Sequence, residues 1–264
     1  MRNVITITAL SLSVILGAVA STTVRAGSAK TDILDDSLAK ETFVKANTAY
    51  ESQSYDQAIS LYRSLLDNGY TSGPLYYNLG NAELRAGSLG RSIVAYRHAS
   101  ALLPRDGDLA ANLKYARDST KDDLGSYTRP LAETIFFWHK GLGLSELALG
   151  VLIANGLWWI LMGLRLYLME NELLLWTSRG LLVVLVALGT SLLVRIITPE
   201  QVAVVQPHEV SIYSGTSHQS TVLFKLHEGS ELKVVESTTD WVRVTLPDDK
   251  QGWLPTGDVD LVEI

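Results

Sequence analysis

The sequence predicts a multi-domain membrane protein in three parts: an α-helical repeat solenoid, a two-helix transmembrane hairpin and a small all-β barrel. Three observations carry this reading. Residues 39–120 are helical in pattern and repeat themselves at a 34-residue spacing. Two long apolar segments follow, separated by a short polar connector. From residue 200 the pattern changes to short alternating strands broken by glycine, proline and paired aspartates.

Residues 1–26 read as an export signal. Arg2 supplies the positive start, residues 4–20 the apolar body, and Ala20 and Ala26 offer two cleavage points. An uncleaved anchor helix is the alternative. Either one leaves the following domain outside the cytoplasm.

In the repeat region, Ala46, Ala58 and Tyr62 recur as Gly80, Ser92 and Tyr96. Small residues let two helices approach and large ones fill between them, so this period marks a helix–turn–helix unit. The second copy runs Tyr76-Tyr77-Asn78-Leu79-Gly80-Asn81-Ala82, with Gly87 at the turn, then Ile93, Tyr96, Ala99 and Pro104. It resembles the tetratricopeptide repeat (TPR). Ser92 stands where alanine is usual, and Glu83-Leu84 replaces an aromatic of the first helix. The stretch 111–116 aligns with 77–82 but has no second helix after it, and reads as a closing helix. The resemblance implies a TPR domain over 39–120, of two repeats plus that helix, binding polypeptides through its concave face. By position the partner-binding candidates are Phe43, Asn47, Tyr50, Glu51, Tyr77, Asn81, Leu84 and Arg85, with Tyr115 at the edge. The tyrosines could equally be packing residues. Asn47 and Asn81 stand out because a polar amide on that face has little packing to do.

Residues 121–146 read as a polar linker followed by an aromatic, amphipathic segment lying on the bilayer surface. The first apolar stretch, 147–164, carries no charge over 18 residues. That is about 27 Å of helix, close to the hydrocarbon thickness of a bilayer. The expected spans are 147–168 and 173–197. Arg179 and Arg195 sit near the ends of the second, where arginines can snorkel. A pair of buried core helices is the alternative. A hairpin returns the chain to its starting side, so the modules before and after it share a compartment. With the export signal, that places both outside the cytoplasm.

Within 200–264, the runs Glu231-Leu232-Lys233-Val234-Val235 and Trp241-Val242-Arg243-Val244-Thr245-Leu246 alternate as half-buried strands do. This length suits a small five-stranded barrel. Leu226-His227-Glu228-Gly229, Asp240 to Val244 and Gly252-Trp253-Leu254 together resemble the bacterial SH3-like (SH3b) domain. Trp241 and Trp253 could line a ligand groove or fill the barrel. His208, His218 and His227 match no standard zinc spacing and read as loop residues, so no metal is expected.

The net charge is -6 and no basic stripe exists, which argues against nucleic acid as a partner. With no cysteine, no phosphate-cradling glycine loop and no paired carboxylates in a plausible cleft, neither an enzyme nor a bound cofactor is expected. Signal, repeats, hairpin and barrel in this order resemble the BatE family of the bacterial aerotolerance (Bat) operon. Phe136-Phe137-Trp138-His139 and Leu226-His227-Glu228-Gly229 are the segments that support it. The resemblance implies a bacterial inner-membrane adaptor with both modules in the periplasm, working beside membrane-anchored von Willebrand A-domain proteins and a MoxR-type ATPase. A membrane-anchored binder of cell-wall peptidoglycan, acting through the barrel, is the alternative.

Overall fold

The computed structural model of the protein describes residues 29–124, 137–168, 171–199 and 201–263. The expected export signal, and residues 125–136 of the linker and interfacial segment, lie outside the described residues.

Five helices open the chain: α1 (Ala29–Glu51), α2 (Tyr55–Asp67), α3 (Gly73–Arg85), α4 (Leu89–Leu102) and α5 (Gly107–Asp118). Connectors of a few residues turn each helix back on the one before. Side-chain caps begin two of them: Ser72 accepts from the Leu75 amide at the start of α3, and Asp106 from Leu109 at α5. Buried small residues (Ala46, Ala58, Ala82, Ala95) bring the helices together, and Tyr62, Leu65, Leu75 and Leu79 fill the space between.

The 34-residue period is visible in the hydrogen bonds. Asn47 Oδ1 accepts from the Tyr62 hydroxyl at 2.7 Å and from Asn78 Nδ2 at 3.0 Å. One period later, Asn81 Oδ1 accepts from the Tyr96 hydroxyl at 2.7 Å and from Asn112 Nδ2 at 2.9 Å. Each asparagine thus ties its own helix to the second helix of its pair and to the first helix of the next.

A short helix, α6 (Phe137–Gly141), precedes two long ones, α7 (Leu144–Tyr167) and α8 (Glu172–Ile197). Both are long and apolar enough to cross a membrane. Val151, Ala154 and Leu185 form a narrow seam between them, while Leu166, Val183, Ile160 and Trp176 point outward. A core helix of a soluble protein would bury most of its surface; these bury 17% and 11% of their apolar windows. Arg195, expected to reach toward headgroups, instead donates to the Leu142 carbonyl at 2.6 Å. Arg105 on the loop before α5 pairs with Glu146 at the start of α7.

The C-terminal part is a single antiparallel sheet of seven strands, two more than expected: β1 (Gln201–Val205), β2 (Glu209–Tyr213), β3 (Val222–His227), β4 (Glu231–Ser237), β5 (Trp241–Thr245), β6 (Gln251–Pro255) and β7 (Val259–Glu263). Their order is β3-β2-β6-β5-β4-β1-β7. Alternate residues point inward, so Ala203, Ile212, Leu232, Val242, Val244 and Leu254 make the core.

The barrel packs against the helices. Val204 and Val262 share a buried cluster with Ile93, Tyr96 and Ala99 of α4 and with Leu109, Leu113 and Ala116 of α5. The expected linker begins later than residue 121: Leu124 packs on the barrel core and Asp122 fastens the loop after β3.

Candidate functional site

The pleat decides which face of the barrel is available to a ligand. Val242, Val244 and Leu254 point inward, so Trp241, Arg243 and Trp253 point out, as does Tyr213. The register sets Arg243 beside Trp253, Trp253 beside Tyr213, and Trp241 beside Pro255. The loop after β2 adds His218. Its ring lies 5.0 Å from Trp241 and 5.7 Å from Tyr213, and Tyr213 meets Trp241 edge-on at 5.7 Å. Barrel filling by these tryptophans is therefore ruled out: both are half-buried on the outer surface.

Arg243 lies with its guanidinium 5.6 Å from the Trp253 ring and pairs with Glu236 at 3.0 Å. Its Nε is buried with no partner among the described residues, as is the Thr256 hydroxyl in the turn beside Trp241. An aromatic wall of this kind suits a ligand with flat or ring-shaped apolar faces. Among the described residues no cluster of His, Asp and Glu is placed to hold a metal ion.

The motif at residues 226–229 serves a different purpose: it seats the barrel on the helices. Gly229 adopts φ +84°, and a Cβ there would lie 2.8 Å from Thr120 and 3.1 Å from Ile93. Glu228 Oε1 accepts from the Gly90 amide at 3.0 Å, in the first turn of α4, whose own Ser88 makes no cap. A side chain at Gly90 would strike the Val205 carbonyl. Asp122 accepts from the His227 amide (2.6 Å) and the Ser230 hydroxyl (2.6 Å), with His227 Nδ1 at 2.7 Å. Lys121 Nζ stands 2.8 Å from His227 Nε2, so the imidazole donates to Asp122 and accepts from Lys121. Burial pushes the Asp122 carboxyl up, but these donors outweigh it and hold it below its ordinary value.

Glu231 completes the seam. Arg97 of α4 meets both of its oxygens at 2.8 Å, and Arg117 of α5 approaches at 3.0 and 3.3 Å. Burial raises this carboxyl, and the two guanidiniums more than reverse that. None of these partners was marked by the sequence. The only signal that could have found them is the pairing of α4 and α5 arginines with an acidic barrel.

The helical candidates divide. Asn47 and Asn81 are not idle amides, because each holds three helices together through its carbonyl oxygen. Tyr77 receives the Asn112 amide at 3.0 Å, and its ring packs with Tyr96 in the shared cluster, as does Leu84. Phe43 leans on Tyr62, and Tyr50 on Tyr55. Glu51, Arg85 and Tyr115 are exposed.

These features define a small bacterial-type SH3 barrel with an outward aromatic face, fused to helical hairpins. Residues 208–260 match the family described as "Bacterial SH3 domain". These findings support neither the tetratricopeptide nor the Bat-operon resemblance. None of the curated proteins compared with the chain matches it. Among solved structures, an NlpC/P60 family protein from Bacillus cereus ATCC 10987 is similar at 23% identity. The alignment covers 25% of this chain and 21% of that one, with a TM-score of 0.21. The chain therefore spans about a fifth of that protein's length, and so low a score says nothing about function.

Proposed function

We propose that the protein is a membrane-anchored binding protein, not an enzyme, whose SH3-like barrel holds peptidoglycan against its aromatic face. The observation that carries this is the outward cluster of Tyr213, His218, Trp241 and Trp253 in a domain matched to bacterial SH3 modules. Sugar rings and peptide planes both stack on such surfaces. In this reading α7 and α8 cross the bilayer, and the helices and barrel sit together outside the cytoplasm. The seam between helices and barrel supports that arrangement, because both must lie on one side for it to form. The test is retention of the full chain, in detergent micelles, on isolated peptidoglycan. Trp241→Ala and His218→Ala should lose retention while keeping the fold. Equal retention by folded variants would refute the assignment.

A second reading is favoured by the hydrogen-bond ladder that recurs every 34 residues. It treats α1–α5 as TPR units that capture a polypeptide, with Glu51, Arg85 and Tyr115 as the exposed contacts. A place beside von Willebrand A-domain proteins and a MoxR-type ATPase rests on module order and the segments Phe136 to His139 and Leu226 to Gly229. Crosslinking from cysteines introduced at Glu51 and Tyr115 would identify a captured chain.

A further inference from the structure

Glu83 sits at the position where an aromatic was expected, and it is buried to 1% exposure on α3. One oxygen accepts from Arg63 of α2. The other, Oε2, is buried and has no partner among the described residues. A half-used carboxylate inside a protein demands an explanation, since an unmet buried acceptor is costly. The same fold contains the satisfied counterpart: Glu231 is covered by two guanidiniums, one from each of two helices. Glu83 has one cation and room for a second.

That room is a cleft of about 440 Å³, built where α2, α3 and α4 meet β7. Tyr76 and Glu83 lie seven residues apart on α3, and Arg91 and His98 seven apart on α4, so each helix turns one face to the cleft. The His98 and Tyr76 rings stack at 4.9 Å, forming a flat wall. Burial lowers the His98 pKa, more than nearby Asp260 raises it, so this wall is uncharged at neutral pH. Arg91 and Asp260 add opposite charges; Arg91 is exposed and has no ion pair among the described residues. The volume lies within the range of small-molecule sites. A lone cation would satisfy Glu83 but not Arg91. A lone anion would do the reverse.

The geometry points to a binding site for a small zwitterion, an amino acid or very short peptide, with its ammonium on Glu83 Oε2 and its carboxylate at Arg91. The stacked Tyr76–His98 wall stands two turns along the same helices, about 10 Å from the charged end, where it would take the ligand's side chain or second residue. Arg63, whose side chain is 45% exposed, has room to rotate and admit it. The site is separate from the barrel's aromatic face. It uses β7 only through Asp260, so it does not depend on the peptidoglycan reading.

The test is calorimetric titration of the full chain in micelles with L-alanine, L-alanyl-L-alanine and their N-acetylated forms. The free amines should bind, and acetylation should weaken them about tenfold or more, because it removes the charged donor. Glu83→Gln should lose a similar factor, and Arg91→Ala should weaken both free amines. The comparison of amine with acetylated probe needs no variant, so it stands even where Glu83→Gln fails to fold. Absence of binding by either free amine would overturn the site. So would equal binding of the acetylated probes, or an unchanged affinity in folded Glu83→Gln.

Discussion

Replacing Glu231 with glutamine should loosen the barrel from the helices by an amount that the geometry sets. Two arginines approach this carboxylate through four hydrogen bonds. Bonds to a charged group contribute about 1.5–3 kcal/mol and neutral ones about 1 kcal/mol. Arg97 is only 20% exposed, so its pair keeps most of that difference. Arg117 is 39% exposed and solvent screens it, so it adds less than about 1 kcal/mol. Glutamine also leaves two guanidiniums facing each other with no anion between them. The total comes to about 2–4 kcal/mol. A double-mutant cycle with Arg97→Met, read by chemical denaturation in micelles and by hydrogen exchange across α4 and β1, isolates the pair. We expect a coupling of about 1–2 kcal/mol and faster exchange at the seam in both single variants. Coupling within about 0.5 kcal/mol of zero would show that the apolar cluster alone holds the two parts.

Three further outcomes follow from the same geometry. Gly229→Ala should destabilise by at least about 1–2 kcal/mol, since its left-handed backbone disfavours a side chain and Thr120 blocks one; an unchanged melting temperature would refute this. Asn81→Ala should cost about 1–3 kcal/mol by stranding the buried Tyr96 hydroxyl, whereas exposed Arg85→Ala should stay within about 0.5 kcal/mol; thermal melts distinguish them. Acid should release the barrel. Glu231 and Asp122 both titrate below their ordinary range in the folded state, so they stabilise fully above about pH 5 and lose that contribution as pH falls through their lowered values. Seam exchange rates that stay flat below pH 4 would contradict this.

Local pattern was legible in the sequence, and long-range partnership was not. The apolar helices and the strand alternation at Trp241 to Leu246 announce themselves because each signal lies within a few turns or pleats. The 34-residue echo of Asn47 and Tyr62 in Asn81 and Tyr96 was equally plain, yet its meaning was missed. An asparagine on a helix face looks idle until the hydroxyl 15 residues away is known to reach it. Glu231 and Arg97 are separated by 134 residues and an apolar helical hairpin, and nothing local marks them as partners. The same holds for Asp122, which reads as linker until the loop it grips is placed beside it. Trp241 and Trp253, paired as candidates from the sequence, lie on one outward face. Their outward direction needed the strand register, because either tryptophan alone fits a barrel core.

The seating of the barrel on α4 and α5 also bears on how each molecule is made. Val204 and Val262 come from the first and last strands, and they cover Ile93 and Tyr96, which are synthesised long before. Until β7 has been made, those early helices keep a greasy flank uncovered. A translation product broken off within the hairpin would thus carry its own flag for proteolysis, and only a finished copy would escape it.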